Sequence, residues 1–133
     1  MQTIILEKPE HFTLKDTLGP GEVTADYARV SVRRIGICGT DLHAYRGRQP
    51  FFNYPRILGH ELGVEIAEIG DNDLDLHPGD TCAVEPYLTC GKCIACRRQK
   101  PNCCIEMQVL GVHIDGGMRE QIRVPINKLH KSD

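Results

Sequence analysis

The sequence offers little to a charged or lipid partner. Its 16 basic and 18 acidic residues leave a net charge of −2, so it has no electrostatic footprint for nucleic acid or an anionic membrane. No apolar run reaches the roughly 20 residues that span a bilayer. The opening Met1-Gln-Thr-Ile-Ile-Leu-Glu lacks a basic stretch and meets a charge at Glu7, which reads against a signal peptide. There is no G-x-G-x-x-G and no strand–helix–strand alternation, so no dinucleotide-binding unit of that kind is expected within these residues. Internal repeats, low-complexity segments and long amphipathic helices are also missing.

Cysteine, by contrast, is plentiful: seven in 133 residues. A secreted protein of this size would carry an even disulfide framework. Here the number is odd and four cysteines bunch between Cys90 and Cys104, which points to metal binding in a reducing cytoplasm. The length suffices for one domain with a real core.

Short runs bounded by turns dominate the chain. Thr3 to Leu6 and His11 to Leu14 are short apolar runs. Tyr27 to Ile37 sets Ala28, Val30 and Val32 against Arg29, Ser31 and Arg33, the period of a half-buried strand. Gly39 to Tyr45 fits a short helical turn capped by Thr40 or Asp41. Leu62 to Ile69 alternates again, and Pro78-Gly79-Asp80 turns into a strand over Thr81 to Val84. Residues 86 to 104 read as a long loop, Val109 to Ile114 as a strand, and Met118 to Val124 as extended chain broken off by Gly116-Gly117. The expectation is a mainly β domain, a barrel or sandwich.

Two clusters carry chemistry. The first lies within 24 residues, Gly-Ile-Cys38-Gly-Thr40-Asp41-Leu-His43 followed by Gly-His60-Glu61. Cys38 and His60 are a thiolate and an imidazole, donors that zinc prefers. Alone, each reads as a buried thiol or a satisfied core histidine. Together with a hydroxyl, two carboxylates and a second imidazole they form a dense polar group. The mostly apolar stretch Gln49 to Leu58 between them could pack alongside and exclude water. The second cluster is Cys90-x2-Cys93-x2-Cys96-x7-Cys104. Four thiolates around one Zn²⁺ would order a loop this long. An iron–sulfur cluster is the rival, but the ferredoxin run places its fourth cysteine after three residues and follows it with proline. Here the gap is seven, and Pro101 precedes. Cys103 could compete with Cys104. Cys82 reads as a small buried hydrophobe.

Taken together, the two motifs and the Gly79-Asp80 turn resemble the N-terminal, GroES-like catalytic domain of the zinc-dependent medium-chain alcohol and polyol dehydrogenases. The resemblance covers essentially the whole chain. It implies a GroES-like, partly open β-barrel over residues 1–133, with short helices and a zinc-stapled lobe at 86–104. Within that family, Gln49-Pro-Phe-Phe-Asn-Tyr-Pro-Arg-Ile-Leu-Gly-His-Glu, Asn102-Cys-Cys and Gly111-Val-His-Ile-Asp-Gly-Gly resemble bacterial sugar-acid dehydrogenases of the L-galactonate or hexonate 5-dehydrogenase type.

The roles it implies are these. Cys38 and His60 ligate a catalytic zinc, and Glu61 is a third ligand or stands just behind the ligands. Since neighbours on extended backbone point to opposite faces, His60 and Glu61 share one metal only where the chain is irregular. Asp41 orients His60, Thr40 bonds the substrate hydroxyl, and His43 passes its proton to solvent. Cys90, Cys93, Cys96 and Cys104 hold a structural zinc. The reaction implied is oxidation of an alcohol, polyol or sugar acid, zinc acidifying the hydroxyl and hydride passing to NAD or NADP. The full-length enzyme would be a cytoplasmic homo-oligomer with no nucleic-acid or membrane partner. A stand-alone zinc-binding module without catalysis is the alternative.

Two departures stand out. Val64 occupies the place three residues after Glu61 where the family usually has glycine, and Gly63 stands one earlier. The family also continues into a nucleotide-binding Rossmann domain, which is not found before the chain stops at His130-Lys-Ser-Asp. The expectation is an inactive piece of a longer enzyme.

Overall fold

The structure is a computed structural model, and it describes residues 1–50 and 52–132. Strand β1 (Gln2–Lys8) pairs with β2 (His11–Asp16) as a hairpin. β3 (Tyr27–Gly36) leads into α1 (Gly39–Tyr45), and β4 (Glu61–Ile69) and β5 (Thr81–Val84) follow. Next come β6 (Tyr87–Leu88), the single-turn α2 (Ile94–Arg97), and β7 (Gln108–Val109). β8 (Gln121–Pro125) and β9 (Leu129–Lys131) close the described chain. The main sheet has the order β8-β3-β4-β5-β9, antiparallel throughout. It is open, with β8 and β9 at its two edges.

The alternation in β3 and β4 forms the core. Ala28, Val30, Leu62, Val64 and Ile66 are buried together with Cys82, Val84, Ile122, Val124 and Leu129. Each such aliphatic side chain is worth roughly 1.5–3 kcal/mol when buried. A one-residue slip of β4 would expose Leu62, Val64 and Ile66 at once, so the register is firmly set. Val64 is 2% exposed, and β4 runs straight through Gly63 and Val64. The departure from the family pattern therefore leaves the strand intact.

Two irregularities bend this pair. Arg29 pairs with Glu68 but Val30 with Ile66, leaving Ala67 extra; Val32 pairs with Val64 but Arg34 with Gly63, leaving Arg33 extra. Such bulges raise the local twist and re-aim the strand beyond them. Here that end of β3 delivers Cys38.

The helix lies over Gly39–Tyr45 as expected, but its cap differs. Cys38 is the residue before the helix, and Asp41 reaches back, its Oδ2 accepting the Cys38 N–H at 2.9 Å. A carboxylate three residues in satisfies a first-turn donor as well as a cap hydroxyl does. The expected strand over 109–114 is mostly a tight turn. Val109 O accepts from the N–H groups of Val112 and His113, and Gly111 has φ +74°. The loop 86–104 gains β6, α2 and a 3-10 turn at Pro101–Cys103. The link 49–58 packs behind α1 and does not line its polar face: Phe52 and Leu58 are buried with Leu6, Ala44 and Val112, and Tyr54 donates its hydroxyl to Ala44 O at 2.5 Å. Phe51 of that link lies outside the described residues. No described helix is long and apolar enough to cross a membrane.

Candidate metal centres

The first centre is assembled from two chain segments, the end of β3 and the start of β4, 22 residues apart from Cys38 to His60. Past its second bulge, β3 ends at Gly36, directly opposite Glu61 at the start of β4. A side chain at Gly36 would overlap the Glu61 carboxylate, with Glu61 Cβ only 2.9 Å away. The glycine lets Glu61 fold across β3 toward Cys38. Just before it, Gly59 has φ +94°, a conformation that L side chains rarely adopt. That kink supplies the irregularity by which His60 and Glu61, though adjacent, turn the same way. One ligand atom from each of Cys38, His60 and Glu61 lies within 4.8 Å of the others.

Asp41 stands behind this group and is 4% exposed. Its Oδ2 is occupied by the Cys38 N–H. Its Oδ1 faces His60 Nδ1 at 3.6 Å, too long for a hydrogen bond, and both atoms are buried without a hydrogen-bond partner. A carboxylate on one ring nitrogen fixes the imidazole tautomer and leaves the other nitrogen free to bind. One carboxylate thus holds the thiol-bearing backbone and lies beside the imidazole.

Cys38, Thr40, His60 and Glu61 line one cavity of about 460 Å³, and Val84, Pro86, Tyr87, Val109 and Val112 wall its other side. A few polar groups facing an apolar wall is the arrangement small-molecule sites commonly have. Thr40 is half-buried at the rim. His43, three residues on and exposed, is outside that lining.

At the second centre Cys90, Cys93, Cys96 and Cys104 each offer a sulfur within 4.8 Å of the others. Cys93 and Cys96 Sγ are 3.5 Å apart, and Cys90 and Cys104 Sγ 3.6 Å. These spacings are far beyond a disulfide at about 2.05 Å. They approach the ~3.8 Å edge of a tetrahedron with Zn–S bonds of ~2.3 Å. All seven cysteines are free. The N–H groups of Cys90, Cys93 and Cys96 point at the sulfurs of Cys104, Cys90 and Cys93. The Cys96 N–H leads the effects that bring the Cys93 thiol down to about 6. Burial, then the sulfurs of Cys93 and Cys104, push Cys96 up to about 12. The four sulfurs crowd here with their pKa values driven apart, and a divalent cation at their centre would favour the thiolate form of each. Cys103 is exposed and stands apart from this quartet; Cys82, 2% exposed, is in the core, where burial raises its thiol.

The model of the alcohol dehydrogenase GroES-like domain family matches residues 24–133. The chain belongs to that family. Its four-cysteine cluster is consistent with a structural zinc site. The chain is 42% identical over 135 residues to L-galactonate-5-dehydrogenase of Escherichia coli K12, covering all of this chain and 39% of that one. It is 43% identical over 132 residues to a zinc-type alcohol dehydrogenase-like protein of Haemophilus influenzae, covering 98% and 38%. A solved short chain alcohol dehydrogenase (rspB) from E. coli CFT073, complexed with cofactor NADH, superposes with a TM-score of 0.86. The identity there is 39%, over 98% of this chain and 38% of that one. The chain therefore spans about two fifths of the length of these relatives.

The GroES-like domain was recognisable from the motifs. What the sequence reading missed is the buttress around Gly59. Gly111, Gly116 and Gly117 all sit in the motif that carried the narrower resemblance, but only their contact with residues 57–59 shows what they support.

Proposed function

We propose that residues 1–133 are the catalytic domain, with the lobe 86–104, of a zinc-dependent, NAD(P)-linked dehydrogenase. The enzyme would oxidise a secondary alcohol in a polyol or sugar acid to a ketone. The observation that carries this reading is the convergence of Cys38, His60 and Glu61 within 4.8 Å, beside a cavity and backed by Asp41.

The donor set fits zinc: sulfur, ring nitrogen and carboxylate, with a cavity left open beside them. Cys38, His60 and Glu61 would hold the catalytic ion, and Cys90, Cys93, Cys96 and Cys104 the structural one. Zinc in an open site supplies Lewis acidity, enough to bring the pKa of bound water to about 7. Around it, the chain's own groups do the rest. Asp41 holds His60 with Nδ1 turned away from the cavity. Thr40, at the rim, accepts the hydrogen bond of the substrate hydroxyl and so guides its proton outward. His43, one helical turn further and in solvent, takes the proton on to water. Val84, Pro86, Val109 and Val112 keep competing water from the reacting carbon. The hydride acceptor is NAD or NADP, for which these residues hold no binding motif, so the 133 residues alone do not turn over alcohol. The whole protein is read as a cytoplasmic homo-oligomer, in keeping with seven free thiols.

Metal counting tests this. The chain should hold two zinc ions, and Cys38→Ser one, with its melting profile unchanged. A wild-type chain that holds a single zinc, kept in Cys38→Ser, would favour a purely structural zinc module and refute the catalytic reading.

A further inference from the structure

The motif Gly111-Val-His-Ile-Asp-Gly-Gly117 takes no part in either metal cluster, yet it is wrapped around the backbone that delivers His60. Gly116 N–H donates to Ile57 O at 2.7 Å, Gly117 N–H to Gly59 O at 2.9 Å, and Met118 N–H to Leu58 O at 2.9 Å. Asp115 Oδ1 accepts the Ile57 N–H at 3.2 Å. Four hydrogen bonds thus strap residues 57–59 to residues 115–118, and the one from Gly117 N–H clamps the carbonyl of the peptide that joins Gly59 to His60.

Contact distances leave no slack. A methyl group at Gly116 would overlap the Gly59 carbonyl oxygen and come within 2.7 Å of Gly111 Cα. One at Gly111 would lie 2.9–3.0 Å from the Gly59 carbonyl and nitrogen atoms. One at Gly117 would meet only the Leu62 side chain, at 2.5–3.1 Å. Backbone cannot yield as a side-chain tip can, so the three positions differ in kind. Those at 111 and 116 press on the peptide before His60, and that at 117 presses on the core.

We infer that Gly116, with Gly111, is a positioning residue for the first metal centre: it sets the Gly59 turn and thereby aims His60 at the metal. The inference rests on the proposal that Cys38, His60 and Glu61 hold zinc. Groups standing behind metal ligands change affinity by about 10–100-fold when disturbed, and Gly116→Ala belongs in that range. Since the four-cysteine lobe shares no residue with the strap, it should keep its own ion.

The test is zinc content and chelator titration of the zinc-loaded chain, with thermal melting alongside. Gly116→Ala is expected to hold the more weakly bound zinc about 10–100-fold less tightly while the tightly bound ion stays. Ile122→Ala, a core truncation outside the strap, is expected to melt lower but bind both ions as the wild type does. If Gly116→Ala does not fold, Asp115→Ala serves instead. It removes the Ile57 hydrogen bond without adding an atom, and a several-fold selective loss at the same centre is expected. Wild-type affinity at both centres in the folded variant overturns the positioning role. Equal loss at both centres also overturns it, because the effect is then general. A wild-type chain that holds only one zinc instead overturns the metal-centre reading, and the positioning role with it.

Discussion

Asp41→Asn changes few atoms and tests the tautomer argument directly. The amide is nearly isosteric with the carboxylate, so its oxygen can still accept the Cys38 N–H now bonded to Oδ2 at 2.9 Å, and α1 keeps its start. The other end of the group now presents an NH₂ to His60 Nδ1, 3.6 Å away. A donor facing that nitrogen makes it an acceptor and moves the ring proton to Nε2, the nitrogen the proposal gives to zinc. Binding must then reverse the tautomer and leave a buried N–H without a partner. An outer-shell disturbance of this kind costs about 10–100-fold in metal affinity, or ~1.4–2.7 kcal/mol. A helix cap lost outright would add ~0.5–2 kcal/mol to folding, but the retained oxygen spares it. The melting temperature of the metal-free chain should therefore barely move. Competition with a chromophoric chelator measures the affinity, and imidazole nitrogen chemical shifts report the tautomer. Zinc affinity at this centre within twofold of wild type, with the ring still protonated at Nδ1, would refute the reasoning.

Two further outcomes follow from other parts of the molecule. Cys93→Ser should lower the zinc-loaded melting temperature by roughly 10 °C or more, because ordering of residues 86 to 104 draws on metal binding; limited proteolysis should then cut first between Gly91 and Met107, and an unchanged melt would count against a structural zinc. Asp80 takes the His77 N–H at 2.8 Å and pairs with Lys131 at 2.9 Å, which lowers its carboxyl below the ordinary 3.8, the His77 bond contributing most. A lowered folded-state value means stabilisation that is present above 3.8 and disappears as pH falls through the folded value. Melting of Asp80→Asn should thus lag the wild type by a constant margin from neutrality to about pH 4 and converge below it; a margin that persists into strong acid would contradict this assignment.

Where a feature was set by neighbours in sequence, the residues announced it. Tyr27–Gly36 and Thr81–Val84 formed almost as their period-two patterns required, and α1 took its expected bounds. The cap differs because Thr40 and Asp41 lie inside the helix, behind Cys38, and Asp41 reaches back to the Cys38 N–H from the third position. Val109 to Ile114 has the composition of a strand, but Gly111 turns the chain, and the turn lies so close to Gly59, 52 residues back, that a side chain at 111 would collide with it. Sheet order and the bulges at Arg33 and Ala67 depend on such long-range pairing and leave no local mark. The apolar link 49–58 packs on Leu6, Ala44 and Val112, and of these only Val112 lines the cavity.

The ladder of β6 and β7 has only two rungs, Tyr87 opposite Val109 and Leu88 opposite Gln108. Its first rung borders the cavity beside Cys38 and His60, and two residues beyond Leu88 the backbone becomes the first sulfur donor of the lobe. The four thiols do not line that cavity, yet an ion held among them would steady one of its rails. Such an ion would act as a foundation stone for a room it does not enter.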